Sequence, residues 1–213
     1  MPLYRKYQQG NLIVGVWKVE ETIEELYSMF RCFSIYEDSY RCFTSDKRRR
    51  EWLAVRVLLK ELCGEEKQVE YLPSGKPFLS DRSACISISH TGGYVAVALH
   101  PCADVAVDIE QYGEKVKKVA HKFIRDDESS SIKCDNETYA LLLHWSAKET
   151  MFKLIDVDAV DFIEHLRIKP FIPSNQGVME AEEYRTSKHL HVQIFYHTHP
   201  DYVLTYSVIP LLS

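Results

Sequence analysis

The chain has 213 residues and 46% of them are hydrophobic, so a packed core of one large domain or two small ones is expected. Its formal net charge is −5, which argues against general nucleic-acid binding, since that function usually leaves a basic footprint. The six cysteines occur singly, without the paired spacing of a zinc site or a compact disulfide framework. No apolar run reaches the length of a membrane span or a signal peptide. These features predict a cytoplasmic protein with reduced thiols that binds neither nucleic acid nor membrane.

The first elements follow strand and helix patterns in turn. Residues 12–19, LIVGVWKV, are rich in β-branched and aromatic side chains and predict a strand. Thr22 and Glu25 have the spacing of a capping box, so a short helix is expected to follow and to reach about Phe30.

A longer helix is expected over residues 46–63, with Ser45 as its N-cap and Gly64 at its end. Its first turn, residues 47–50, is KRRR, although cations at a helix N terminus oppose the helix dipole. The cluster indicates either a bound anion nearby or a solvated charged face. A turn over residues 73–77, PSGKP, comes next.

A β-hairpin is expected in the middle of the chain. Residues 84–89 and 94–100 alternate in polarity and predict its two strands, joined by the sequence HTGG. Ser89 and His90 would then be displayed at the bend. A hydroxyl, an imidazole and the backbone donors of two glycines could hold a phosphate, although a lone turn histidine is usually just a surface residue.

Residues 105–110, VAVDIE, carry the first chemical signal. Side chains alternate along a strand, so Asp108 and Glu110 lie on the same face. Two like charges beside a buried core repel each other unless a cation lies between them, and Mg²⁺ commonly takes one or two carboxylates plus substrate phosphates. The alternative is an exposed strand end with two solvated acids.

A long helical pattern over residues 136–155 carries the second signal, the sequence WSAKETMFK. Its residues Trp145, Glu149 and Lys153 are spaced four apart and share one face. Lys148 flanks that face. An acid four residues before a base is also the ordinary ion pair of a solvated helix. The two stretches together offer three carboxylates for a metal and two lysines for phosphate.

The remaining segments complete the outline. Residues 101–104 form the best boundary between two halves, and residues 113–123 predict a basic amphipathic helix. Residues 125–134 predict a mobile polar loop, and Asp135 is the expected cap of the long helix. Four strands are expected after the long helix, over residues 162–169, 178–184, 189–197 and 202–209.

A faint repeat suggests how the chain is organised. The sequence LIVGVWKVEE followed by a helix is similar to VAVDIEQ followed by a helix. This similarity predicts an α+β protein of two related halves, residues 1–103 and 104–213. Only the second half has the acids.

The order of these motifs resembles the 4′-phosphopantetheinyl transferases, specifically their two-lobed (Sfp-like) type. The resemblance covers about residues 45–153. It is carried by the sequences GKP, ISISHT, VAVDIE, KFIRDDE and WSAKETMFK, which occur in this order. It implies that the two α+β halves form a pseudo-dimer with the active site between them.

The resemblance also implies an activity. Such enzymes transfer the phosphopantetheine arm of coenzyme A to a serine of an acyl- or peptidyl-carrier protein and release adenosine 3′,5′-bisphosphate. Asp108, Glu110 and Glu149 would hold Mg²⁺, with Mn²⁺ as the alternative, so Asp108 and Glu149 would be catalytic. Glu149 would also deprotonate the carrier serine. Lys148 and Lys153 would neutralise charge on the phosphates, and Lys153 would share in catalysis.

Further residues are implied to bind coenzyme A. Ser89 and His90 would grip its phosphates, and Lys76 would lie along the nucleotide. One arginine would meet the 3′-phosphate, and the candidates are Arg48, Arg49, Arg50 and Arg56. The basic residues 115–122 suit an acidic carrier protein or form a solvated face. One chain could supply both sides of the site, so a monomer is expected.

The sequence departs from the family pattern at three positions. Ala106 replaces a glycine two residues before the aspartate, Thr91 replaces the commoner serine, and no glycine follows Lys153 closely. None of these changes removes a metal ligand. Two other functions use the same residues: a catalytically silent relative that binds coenzyme A or carrier protein, and a metal-dependent hydrolase of another phosphate ester.

Overall fold

The structure is a computed structural model that describes residues 3–132 and 136–211. Its strands are β1 (Arg5–Gln9), β2 (Leu12–Lys18), β3 (Val69–Tyr71), β4 (Pro77–Leu79), β5 (Cys85–Thr91), β6 (Tyr94–His100), β7 (Ala103–Gln111), β8 (Leu166–Ile168), β9 (Gln176–Glu183), β10 (His191–His199) and β11 (Tyr202–Pro210). Its α-helices are α1 (Ile23–Ser28), α2 (Glu37–Arg41), α3 (Asp46–Cys63), α4 (Lys115–Val119), α5 (Ser129–Ile132) and α6 (Glu137–Ile155). In the part of the chain described, no helix is long and apolar enough to cross a membrane.

The first half is an antiparallel sheet with helix α3 packed on it. The strand order is β1-β2-β6-β5, and β3 and β4 form a separate small hairpin. Leu53 and Leu58 of α3 lie in one buried cluster with Val97 of β6. A side chain at Gly15 would place its Cβ 2.8 Å from Leu58, so glycine there lets the helix approach the strand closely.

The second half repeats this plan with a larger sheet. The strand order is β7-β11-β10-β9-β8, all pairs being antiparallel. Helix α6 packs on it through Leu143 and Met151, which lie in one buried cluster with Ile194. The α+β class is therefore confirmed. The boundary between residues 103 and 104 stays a prediction, and β7 begins beside it.

The two sheets meet through a third buried cluster. Val14 of β2 and Ala96 of β6 pack in it with Val107 of β7 and Leu204 of β11. The junction is thus an apolar core of its own, and it brings β5 and β7 together as the facing edge strands of the two sheets.

Several predicted elements need correction. Strand β5 continues through His90 and Thr91, and only Gly92 and Gly93 turn the chain, with φ of 87° at Gly93. Two glycines are enough for a two-residue hairpin turn, so His90 belongs to the strand. Ser45 precedes α3 in an extended conformation but makes no side-chain capping bond.

The predicted basic helix and polar loop are also wrong in part. Helix α4 is only five residues long and continues into a 3-10 turn, Ala120–Lys122. The segment predicted as a loop contains a 3-10 turn, Asp126–Glu128, and α5. The predicted cap Asp135 lies outside the described residues. Asn136 accepts the backbone N–H of Tyr139 at the start of α6. The capping box of α1 is confirmed.

Candidate active site

Asp108 on β7 is the most firmly held carboxylate of the site. It is 3% exposed, and Ser89 donates a hydrogen bond of 2.9 Å to Oδ1 while Ser146 donates one of 2.7 Å to Oδ2. Lys153 Nζ lies 2.9 Å from Oδ1 and 2.9 Å from the carbonyl oxygen of Val107. Three donors from β5 and α6 therefore fix the orientation of this carboxylate.

Glu110 lies two residues further along β7, on the same face as predicted. The indole Nε1 of Trp145 donates a hydrogen bond of 2.8 Å to its Oε1. Burial raises the pKa of Glu110, and the charge of Asp108 raises it further. A carboxylate held in this environment favours a cation nearby.

Glu149 lies one turn after Trp145 on α6 and is partly buried. Burial, the charge of Asp108 and that of Glu110 raise its pKa to about 7, although Lys153 opposes the shift. Within the described residues no side chain or backbone N–H donates a hydrogen bond to Glu149. It is thus the carboxylate of the site that is free to exchange a proton near neutral pH.

The donor chemistry of this cluster suits a hard divalent cation, because all three groups are carboxylates. The side chains as they stand, however, do not form a metal site: residues 3–132 and 136–211 hold no group of three His, Cys, Asp or Glu side chains arranged to hold an ion. The ammonium group of Lys153 instead supplies the positive charge next to Asp108.

Two side chains of the first half, Arg48 and His90, lie on the side of the site where Lys153 stands. Arg48 Nη1 lies 3.0 Å from His90 Nε2, and a guanidinium can only donate, so this ring nitrogen accepts. Burial lowers the pKa of His90, and the charges of Arg48 and Lys153 lower it further, while Glu51 opposes the shift. Of the candidate arginines, Arg48 is the one that the structure places beside His90.

Two other predicted arginines are engaged elsewhere. Arg49 donates to the carbonyl oxygen of Phe43 over 2.9 Å and pairs with Asp46. Arg56 is 3% exposed, with its guanidinium 3.9 Å from the centre of the Trp52 ring, and burial lowers its pKa. The structure does not bring Arg49 or Arg56 to the carboxylates. Arg50 is exposed on α3.

The predicted contact of Lys148 with phosphate is wrong. This side chain is fully buried, and its Nζ donates to Glu128 over 2.8 Å and to the carbonyl oxygens of Phe123 and Phe162 over 2.6 and 2.9 Å. All three donors are used. Consecutive helix residues point about 100° apart, so Lys148 can face this buried acid while Glu149 faces Asp108.

Lys76 lies in the cleft between the halves, paired across it with Asp104 at 3.0 Å. A hollow of about 140 Å³ is lined by Lys76, Lys153 and Asp156. Two larger hollows, of about 390 and 430 Å³, share Lys76, Asp104 and Asp156. The predicted nucleotide-binding lysine therefore stands where three hollows meet, with a carboxylate as its present partner.

Sequence reasoning missed the hydroxyl groups that support the site. Ser146 lies 2.8 Å from Thr205 Oγ1, which in turn lies 2.7 Å from Thr150 Oγ1. Ser146 and Thr150 stand within the recognised helix motif, so their burial could have been suspected. Nothing in the sequence marks Thr205.

The departure at Ala106 is accommodated by packing. Ala106 is fully buried in the core of the second half and pairs with Ser207 of β11. Its methyl group therefore lies in ordinary core contact and does not disturb the strand that presents Asp108.

The site and its setting define the class of protein. A family model described as the 4′-phosphopantetheinyl transferase superfamily matches residues 104–207, the stretch that holds the three carboxylates and Lys153. This stretch, just under half of the 213 residues, is therefore similar to that superfamily.

It is similar to the L-aminoadipate-semialdehyde dehydrogenase-phosphopantetheinyl transferase of Xenopus laevis, with 27% identity over 139 residues. The aligned region is 54% of this chain and 45% of that protein, so the match spans less than half of the relative's length.

Proposed function

We propose that this protein transfers the 4′-phosphopantetheine arm of coenzyme A to a serine of an apo acyl- or peptidyl-carrier protein and releases adenosine 3′,5′-bisphosphate. The serine oxygen forms a bond to phosphorus, and the bridging P–O bond of the pyrophosphate breaks. A cytoplasmic, monomeric protein is part of this proposal.

One observation carries the proposal. Asp108, Glu110 and Glu149 converge from β7 and α6, and the cationic side chain of Lys153 stands beside them, while Arg48 lies beside His90. Phosphoryl transfer between two oxygens needs this combination, since charge builds up on the phosphate while a hydroxyl loses its proton.

Glu149 is suited to accept that proton. Its pKa of about 7 lies near the operating pH of most enzymes, where a general base is most effective. Asp108, Glu110 and Glu149 would hold a divalent cation, whose positive charge would offset that of the pyrophosphate. Lys153 would then turn from Asp108 to the phosphates, and His90, Lys76 and Arg48 would bind the anionic end of coenzyme A.

A separate hollow of about 600 Å³ supports docking of a carrier protein. It is lined by Glu110, Trp145, Tyr112 and Lys115, and so lies directly beside the carboxylates. The exposed lysines of α4 would attract an acidic partner. Lys117, however, already pairs with Glu114 and Glu137, which leaves Lys115 and Lys118 for this role.

Intact-protein mass spectrometry tests the proposal. Purified protein is incubated with coenzyme A, Mg²⁺ and each of several apo-carrier proteins, with EDTA and the Asp108→Ala variant as controls. The expected result is a carrier that gains the mass of one phosphopantetheine group with wild-type protein, and no gain in either control.

Each other outcome points to a different function. Coenzyme A binding without any mass gain across the carriers would indicate a silent binding protein. Cleavage of coenzyme A in the absence of a carrier would indicate a hydrolase. A full mass gain with Asp108→Ala would contradict the assignment of the metal ligands.

A further inference from the structure

Three hydroxyl groups on β5 bridge the two facing edge strands. Ser87, Ser89 and Thr91 are spaced two apart, so they point to the same side of their strand. Their side-chain oxygens accept successive backbone N–H groups of β7, from Val107 at 3.1 Å, Ile109 at 3.4 Å and Gln111 at 3.1 Å.

This hydroxyl row takes the place of a backbone ladder. Strand β7 forms its ladder with β11 on one side only, and β5 forms its ladder with β6. The outward N–H groups of β7 would otherwise lack partners at a buried junction, which costs free energy. The row therefore sets the register of β7 against the first half.

Ser89 differs from its two neighbours in the row. In addition to accepting from Ile109, its hydroxyl donates to Oδ1 of Asp108 over 2.9 Å, and it is 8% exposed. Among the described residues, Ser87 and Thr91 make no corresponding bond to a carboxylate. Its single proton is thus donated to Asp108 in this structure.

We propose that Ser89 is a positioning residue that holds the carboxylate of Asp108 and the adjoining backbone of β7 in one orientation. The inference rests on the proposed function for its kinetic consequence. Its structural basis, the bond between Ser89 and Asp108, is independent of any substrate.

A double-mutant cycle tests the bond itself. Melting temperatures are measured for Ser89→Ala, Asp108→Ala and the double variant, and for a matched cycle with Ser87→Ala. We expect the Ser89 cycle to depart from additivity by about 2 °C or more, because residues in direct contact couple. The Ser87 cycle should be additive within about 1 °C. Additivity in both cycles would overturn the inference.

Steady-state kinetics tests the positioning role. Ser89→Ala should lower kcat about tenfold or more with KM for coenzyme A within about twofold, as is usual for residues that orient ligating side chains. Ser87→Ala and Thr91→Val, which also lose one backbone hydrogen bond, should keep kcat within about threefold of wild type. A raised KM with normal kcat for Ser89→Ala would show a phosphate contact instead.

A second variant, Ser89→Cys, keeps the proposal testable if Ser89→Ala folds poorly. Ser89→Cys retains a small, weak donor, so its kcat should lie between those of wild type and Ser89→Ala; a kcat equal to wild type would contradict the inference. If wild-type protein transfers nothing to any carrier, the proposed function fails, and the melting cycle still decides whether Ser89 orients Asp108.

Discussion

Glu149 combines a raised pKa with freedom from hydrogen bonds among the described residues, whereas Asp108 is held by three donors. Asp108 comes from β7 and Glu149 from α6, and the two carboxylates are prepared for different tasks. Asp108 is oriented, and Glu149 can change its protonation.

We therefore expect Glu149→Gln to reduce transfer by about 10²–10⁴-fold, the usual effect of losing a general base. The melting temperature should stay equal or rise, because the amide removes repulsion from Asp108 and Glu110. Transfer is followed by mass spectrometry and folding by circular dichroism. Glu180→Gln, at an exposed position of β9, serves as the control and should leave both unchanged.

Asp156 occupies the end of α6, where the sequence lacks the glycine expected soon after Lys153. It ends α6 in the left-handed conformation, with φ of 46° and ψ of 50°, and its N–H donates to the carbonyl oxygen of Phe152. Glycine is the usual residue at such a helix end, and aspartate is among the few others that tolerate it. The geometry that glycine would provide is thus retained with a charged side chain in the cleft.

At this position Asp156→Ala should lower stability by about 1 kcal/mol, because a Cβ without a polar group is strained at positive φ. Asp156→Gly should match or exceed the wild type. Thermal melts of the two variants at equal concentration check the order. A melting temperature for Asp156→Ala above that for Asp156→Gly would contradict this account.

At the scale of elements, the buried pair of Lys148 and Glu128 ties α6 to its surroundings. Glu128 Oε1 accepts the N–H of Ile168 in β8, and Oε2 accepts from Arg125 and Lys148. One carboxylate thus joins the 3-10 turn, a strand of the second sheet and the helix that carries the site.

Lys148→Met should therefore lower the free energy of unfolding by about 3–5 kcal/mol, since it leaves Glu128 buried without its cation. Replacing both partners with apolar residues should recover part of that loss. Urea unfolding provides the measurement. The control is Lys18→Met on the surface, where the pair with Glu20 is exposed on both sides and no measurable change is expected. Equal effects at both lysines would refute a structural role for Lys148.

Helix α6 also buries an imidazole. His144 is fully buried, with Nδ1 donating to the carbonyl oxygen of Ala140 over 2.8 Å, and burial lowers its pKa. The unfolded state, with an ordinary pKa of about 6.5, then binds the proton more readily than the folded state. Stability is unaffected above that pH and is lost as the pH falls below it.

We expect the melting temperature to fall between pH 7 and pH 5, and to fall less in His144→Leu. Thermal melts at several pH values give the slope of the melting temperature against pH. An identical slope in His144→Leu would assign the acid sensitivity to other groups.

The regular spacing of apolar residues predicted several helices and strands, such as α6, β6, β7 and β11. It also placed Asp108 and Glu110 together. It could not decide which direction Lys148 takes, because that depends on Glu128, an acid 20 residues away whose burial is a tertiary effect. The role of Ser89 was missed for the same reason, since its partner belongs to the other half.

At the scale of the whole molecule, the junction core joins the halves. Tyr94 of the first half and Tyr202 of the second have ring centroids 4.9 Å apart, and Tyr7 stacks on His197 at 4.0 Å. The faint sequence repeat predicted two related halves. It did not predict that their shared surface would be as apolar as either core. A strand buried at the junction between the halves has the same sequence pattern as a strand buried within one half.

Heat unfolding should therefore show one cooperative transition, with the calorimetric enthalpy equal to the van 't Hoff enthalpy. Neither half could lose its fold without exposing Val14, Val107 and Leu204 to water. Differential scanning calorimetry is the measurement, with circular dichroism as a second probe. Two resolved transitions would show that the halves unfold independently.

Only one of the three tryptophans of the chain lies at the carboxylates, so its fluorescence reports on the site. Trp17 and Trp52 are buried in the core of the first half. Trp145 is wedged between Phe123 and Phe162, with ring centroids 5.2 and 5.5 Å away, and its N–H meets Glu110. A cation that drew Glu110 away would change the polar surroundings of this one indole, whereas Trp17 and Trp52 make no contact with Glu110 among the described residues. The protein thus carries an intrinsic fluorophore at its carboxylates and two internal references at a distance from them.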